Sequence, residues 1–181
     1  MTISIFLLAS SFLWHIFSED IYSNNSTVSR KDFGHAVEVL SNYDGDTITV
    51  HIPGHKPWKE RVRLIGIDTP EKDQGKWGSK ARLFTKYATR GSKVYLERDV
   101  QARDKYKRLL AYVWIETKKG SLVMLNEWLL REGLAELFTF PPNVKYVDRL
   151  KDSYMKAREN KAGMWGEGGL EMSPSRYRDL H

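Results

Sequence analysis

Along this chain the spacing of apolar positions changes several times, and each change marks an element. Residues 36–40, 47–52 and 60–67 are short runs rich in β-branched side chains. They are separated by the stretches N-Y-D-G-D-T (42–47) and P-G-H-K-P (53–57), a pattern that predicts a three-stranded meander. After Gly78 the period shifts to that of a helix over 79–89, with Ala81, Phe84 and Ala88 on one side. Strand character returns over 93–97 and 109–115, and the turn T-K-K-G leads into a further extended stretch at 121–123. Two more helices are predicted: 125–132, closed by Gly133, and 144–160, with Val147, Leu150, Tyr154 and Ala157 along one stripe. The order is three strands, a helix, two strands, then two helices. The expected fold is therefore α+β and mainly β: a five-stranded OB-fold barrel with three helices, a layout that commonly binds oligonucleotides. Fold alone does not give function.

The two ends lack these periods. Residues 3–17 are apolar with no charged side chain other than the titratable His15, a length short for a membrane span and suited to a signal-peptide core. Segment 1–17 is thus expected to be a signal peptide or a membrane anchor, and the protein to be exported: secreted, periplasmic or anchored facing outward. Residues 18–32 are polar and rich in Ser and Asn, as in a linker. One domain is expected over 33–166, and 167–181 reads as a flexible tail. At 181 residues and 41% hydrophobic content, one core is the expectation.

Charge narrows the choice of partner. Lys and Arg number 29 against 23 Asp and Glu, a formal +6, which suits a polyanion such as nucleic acid or an anionic membrane. The segment after Phe17 opens with Glu19 and Asp20 and carries no polybasic cluster, which disfavours a lipid-holding role. No cysteine is present, so disulfides, thiolate metal sites and a cysteine nucleophile are excluded. None of the five histidines has the paired spacing of a helical zinc site.

Three stretches remain as candidate chemistry. In N-Y-D-G-D-T, Asp44 and Gly45 have an ordinary explanation as turn residues tolerant of positive φ, whereas Asp46 adds repulsion without helping the turn. R-V-R-L-I-G-I-D-T-P-E (61–71) places Arg63 in an apolar strand, Asp68 at its end and Glu71 beyond Pro70. On its own this also reads as an exposed arginine followed by a turn. R-D-K-Y-K-R-L-L-A-Y-V (103–113) sets Arg108 at the entrance to another strand, and on its own reads as a solvated loop. Arg63 and Asp68 differ by an odd number, so a flat strand would point them to opposite faces; Gly66 is the expected break.

Taken together and in this order, the three stretches resemble the staphylococcal nuclease (thermonuclease) family. The likeness extends to N-E-W-L-L-R-E-G-L-A (126–135) and to Trp165, covering about 36–165. The resemblance implies one calcium ion held by Asp46, Asp68 and the main-chain carbonyl of Thr69. It implies Glu71 as the carboxylate that orients or deprotonates the attacking water, and Arg63 and Arg108 as the arginines on the scissile phosphate. Two carboxylates, a carbonyl and solvent suit a hard cation, and manganese or magnesium could also be accepted. Lys105 and Tyr106 match positions contacting a neighbouring phosphate, and Lys76 and Trp77 are expected in a loop bordering the groove. Lys107 stands where the family has a glycine, which predicts strain at a positive φ. Phe138 and Phe140 replace tyrosines, keeping a stacking surface and losing two hydroxyl donors.

The implied activity is a calcium-dependent, sugar-nonspecific nuclease that hydrolyses DNA and RNA, single strands preferred, to 3′-phosphate products. The expected form is a monomer with no protein partner and a tether, if retained, through 3–17. The alternative is a non-catalytic OB-fold module that binds nucleic acid, a reading that the intact set of acids and arginines disfavours.

Overall fold

The computed structural model describes residues 34–181. The apolar segment and the linker expected before Phe33 lie outside the described residues. The strands are β1 (Glu38–Asn42), β2 (Thr47–His51), β3 (Lys59–Leu64), β4 (Ile67–Asp68), β5 (Val94–Glu97), β6 (Leu109–Glu116), β7 (Leu122–Met124) and β8 (Glu136–Leu137). The helices are α1 (Gly75–Thr89), α2 (Leu125–Arg131), α3 (Val147–Glu159) and α4 (Pro174–Leu180), with a 3₁₀ turn at Gly163–Glu167.

The main sheet runs β1-β2-β3-β6-β5, with β7 added to β6. Neighbours are antiparallel except β3 and β6, which run parallel with Val62 beside Leu109. This is the strand order of a partly open OB-fold barrel. Its two edges meet at one bridge, where the Val37 N–H donates to Val94 O at 2.8 Å. Alternation in β2 sends Ile48 and Val50 inward, Ile48 opposite Val62, and Val62 and Leu64 of β3 are buried with them; burial of each such side chain contributes about 1.5–3 kcal/mol. Leu125, Leu129 and Leu130 of α2 and Leu150 of α3 complete the core.

The break expected at Gly66 is present. Strand β3 ends at Leu64, Gly66 takes φ +82°, and the chain resumes as β4, which pairs with β8. A Cβ at Gly66 would also lie 2.4 Å from Leu150 Cδ1. Buried Asn126 supports this interruption: its Nδ2 donates to Ile65 O at 2.8 Å, and its Oδ1 accepts from the Val113 N–H at 2.9 Å.

Three expectations are corrected. Helix α1 starts at Gly75 rather than after Gly78, because Gly78 serves a close approach: a Cβ there would stand 1.7 Å from Glu71 O. Gly45 is not at positive φ; what excludes a side chain is Ala81 and Thr69, each 2.8 Å from a Cβ built there. The tail expected to lack structure contains α4, with Pro174 in the first turn and the Ser173 side chain accepting from the Arg176 N–H. A helix of about two turns is too short to show a period in sequence.

Candidate active site

The loop between β1 and β2 is fastened before it offers any chemistry. Asp44 Oδ1 accepts from the N–H groups of Asp46 (3.0 Å) and Thr47 (2.6 Å), the local turn role expected of it. Asn42 Nδ2 donates to Arg82 O and Thr85 Oγ1 to Gly45 O, which clamps the loop onto α1. Asp46 is held this way at 3% exposure. Its Oδ2 accepts from the Thr69 N–H at 2.7 Å and forms an ion pair with Arg63 Nη1 at 3.0 Å, while Nη1 donates to Leu64 O.

Arg63 is the hinge of the site. The turn at Gly66 brings Asp68 back to the same side, and Arg63 Nη2 donates to Asp68 Oδ1 at 2.8 Å. One guanidinium, itself 8% exposed, thus bridges two carboxylates from different strands and loops. Burial raises the pKa of Asp68 against the pull of Arg178 and Arg63. Burial, followed by the charge of Asp46, pushes Asp44 up to about 7. Glu71 follows Pro70, with its backbone pressed by Gly78, and its Oε1 accepts from Arg178 Nη1 at 2.7 Å.

The residues present fit a hard cation. Acidic oxygens of Asp44, Asp46 and Asp68 are gathered in a buried region, burial resists the charge of Asp44 and Asp68, and Thr69 Oγ1 is buried without a hydrogen-bond partner among the described residues. Asp46, Asp68 and the Thr69 carbonyl could hold such an ion, with solvent completing the shell.

Arg108 lines the same cleft, whose volume is about 980 Å³. It is oriented by Asp104, whose Oδ2 accepts from Arg108 Nε at 2.6 Å while Oδ1 accepts from the N–H groups of Tyr106 and Arg108. Lys105, Tyr106, Phe138 and Phe140 also line it, and the three rings are solvent-exposed. Lys76 and Trp77 do not. They lie in the first turn of α1 rather than in a loop; Lys76 pairs with Glu167 and, like Lys80, stacks on Trp77, so they stand apart from the cleft lining.

Sequence reasoning overlooked Asp104 and Arg178 and took Gly78 for a helix boundary. The four-residue spacing of Asp104 and Arg108 was a readable signal, whereas nothing in the sequence joins Arg178 to Asp68 across 110 positions.

Two predictions arise in these loops. Lys107 has φ +63°, as the glycine that the family has there implies. A left-handed non-glycine residue costs about 1 kcal/mol, so Lys107→Gly is expected to raise stability by about that amount in chemical denaturation. Next to it, Glu60 is buried and accepts two hydrogen bonds from Arg103, which also donates to Lys107 O. The Arg103 hydrogen bonds hold the Glu60 carboxyl below its ordinary value of 4.5 against the opposing effect of burial. A depressed carboxyl stabilises the fold above its unfolded value, and that contribution fades as pH falls through the folded one. Glu60→Gln should therefore cost about 1 kcal/mol near neutrality, discounted for the exposure of Arg103, and progressively less below pH 4.5, as read from denaturation midpoints across pH.

Comparison with known proteins places this geometry in a lineage. The family model described as staphylococcal nuclease homologue matches residues 61–167. A thermonuclease of Staphylococcus hyicus is 38% identical over 133 residues, covering 71% of this chain and 74% of the relative. Endonuclease YncB of Bacillus subtilis (strain 168) is 33% identical over 169 residues, covering 84% and 76%. A thermonuclease of Staphylococcus intermedius is 39% identical over 127 residues, covering 67% and 71%. With more than half of its length matched by the family model, the chain belongs to the staphylococcal nuclease homologues.

Proposed function

We propose that this chain is a calcium-dependent nuclease that hydrolyses phosphodiester bonds of DNA and RNA, single strands in preference to duplex, leaving 3′-phosphate ends. Kinship with thermonucleases and endonucleases makes it a hydrolase acting as a nuclease. The observation that carries the finer reading is Arg63 bridging Asp46 and Asp68 in the cleft that Glu71 and Arg108 also line. Attack on phosphorus builds negative charge on the phosphate oxygens, and planar guanidiniums on Arg63 and Arg108 suit paired, charge-assisted hydrogen bonds to them. Glu71 takes or orients the proton of the attacking water. A calcium ion held by Asp46, Asp68 and the Thr69 carbonyl would supply further electrostatic stabilisation of that charge. Tyr106, Phe138 and Phe140 offer rings for splayed bases, which a stacked duplex cannot use without melting.

The test is incubation of the protein with single-stranded DNA, duplex DNA and RNA in calcium, magnesium, manganese or chelator, with the product ends identified. Cleavage confined to calcium, fastest on single strands and leaving 3′-phosphates, is expected. Salt-sensitive binding without cleavage in any metal would favour the binding-module reading instead. We place the activity outside the cytoplasm on the apolar character of 3–17, which fractionation of cells expressing the whole chain would test.

A further inference from the structure

The helix α4 forms a wall of the cleft, and its Arg178 reaches the two carboxylates on which the proposed chemistry depends most. Arg178 Nη1 donates to Asp68 Oδ1 at 2.9 Å and to Glu71 Oε1 at 2.7 Å, while Nη2 donates to Asp68 Oδ2 at 2.9 Å. Both oxygens of Asp68 are therefore engaged by one guanidinium. The helix is docked by further contacts: Tyr177 OH donates to Asp73 O, and Gln74 Nε2 to Met172 O. The family model ends at residue 167, before this segment begins, so the contact lies outside the matched region.

We propose that α4 is an autoinhibitory plug in which Arg178 serves as an internal cation, competing with a divalent ion for Asp68 and shielding Glu71 from water. The competition follows from charge and valence. A guanidinium bonded to both oxygens of Asp68 occupies the carboxylate that an ion would need, and its hydrogen bond to Glu71 Oε1 takes up an oxygen that would otherwise meet water. The side chain of Arg178 is 40% exposed while that of Asp68 is 3% exposed, so the arginine sits at the mouth and can leave without unfolding the barrel. Strands β3 and β4 and the Arg63 bridge hold the site independently of the helix. Substrate phosphates would draw Arg178 away from Asp68, which links opening to the arrival of a polyanion.

This inference rests on the nuclease reading for its meaning, so its test separates the two. Calcium affinity is measured by calorimetry on the whole chain, on Arg178→Ala and Arg178→Gln, and on Arg176→Ala as a control, with cleavage of a single-stranded oligonucleotide followed in parallel. If the open form is a minority near one tenth, either Arg178 variant binds calcium about tenfold more tightly and reaches half-maximal cleavage at about tenfold lower calcium. The Arg176→Ala control is expected to behave as the parent. Unchanged or weaker calcium binding by both Arg178 variants overturns the plug, and weaker oligonucleotide binding alongside would make Arg178 a substrate ligand. Tighter calcium binding with no cleavage by any variant supports the plug and overturns the nuclease reading. Cleavage by the parent with identical calcium affinity in all variants does the reverse.

Discussion

Arg63→Gln is expected to lower cleavage at least about a thousandfold and, in chelator, to cost about 3 kcal/mol of stability. Both effects come from one geometry. The guanidinium joins Asp46 and Asp68, all three groups are nearly buried, and burial already resists the ionisation of Asp68. Removing the charge leaves two carboxylates facing each other with only Arg178 nearby, and breaking a buried ion pair costs far more than the pair contributes relative to apolar packing. Calcium should recover part of the loss, since an ion that binds only the folded state adds stability by mass action. Arg63→Lys is expected to keep most of the stability but not the activity, because a point charge cannot present two parallel donors to two partners. Denaturation in chelator and in calcium, with cleavage rates beside it, checks each arm; an Arg63→Gln protein as stable as the parent in chelator would contradict the bridge.

Glu71→Gln is expected to lower kcat by about two to four orders of magnitude while leaving oligonucleotide affinity and stability close to the parent. Among the described residues its carboxylate pairs with Arg178 at the rim of the cleft, so the fold loses little when its charge is removed. Glutamine preserves the shape and an acceptor oxygen but cannot take a proton. Rates measured at saturating substrate, with binding followed in chelator, separate this from a positioning defect. A change confined to KM would argue that Glu71 binds substrate and takes no part in the proton transfer.

Much of this site was legible because its parts are local. The D-G-D-T turn, the odd spacing of Arg63 and Asp68 and the interposed Gly66 together required a broken strand, and the chain breaks there with Gly66 at positive φ. The positive φ of Lys107 was legible only through the resemblance, since the family has a glycine there. What escaped depends on distant parts of the chain meeting. Gly78 looked like a helix boundary because its partner, the carbonyl of Glu71, lies in a preceding turn. Gly45 looked like a positive-φ residue, whereas its requirement comes from Ala81 and Thr69 packing over it. Lys76 and Trp77 were expected beside the groove, but α1 begins early enough to carry them to the face where Lys76 meets Glu167. The tail helix had too few turns to announce itself, and its arginine meets the site only through tertiary docking.

Arg63, Glu71 and the paired aspartates are proposed to form one hydrolytic centre. Its most direct measurement is the rate at which the whole chain cuts a labelled single-stranded oligonucleotide in calcium and in chelator, with Glu71→Gln assayed beside it under both conditions. Cleavage to 3′-phosphate ends in calcium, none in chelator, and a loss of at least about a hundredfold for Glu71→Gln with binding retained are expected. Cleavage that persists in chelator, or that Glu71→Gln performs as fast as the parent, would contradict such a centre.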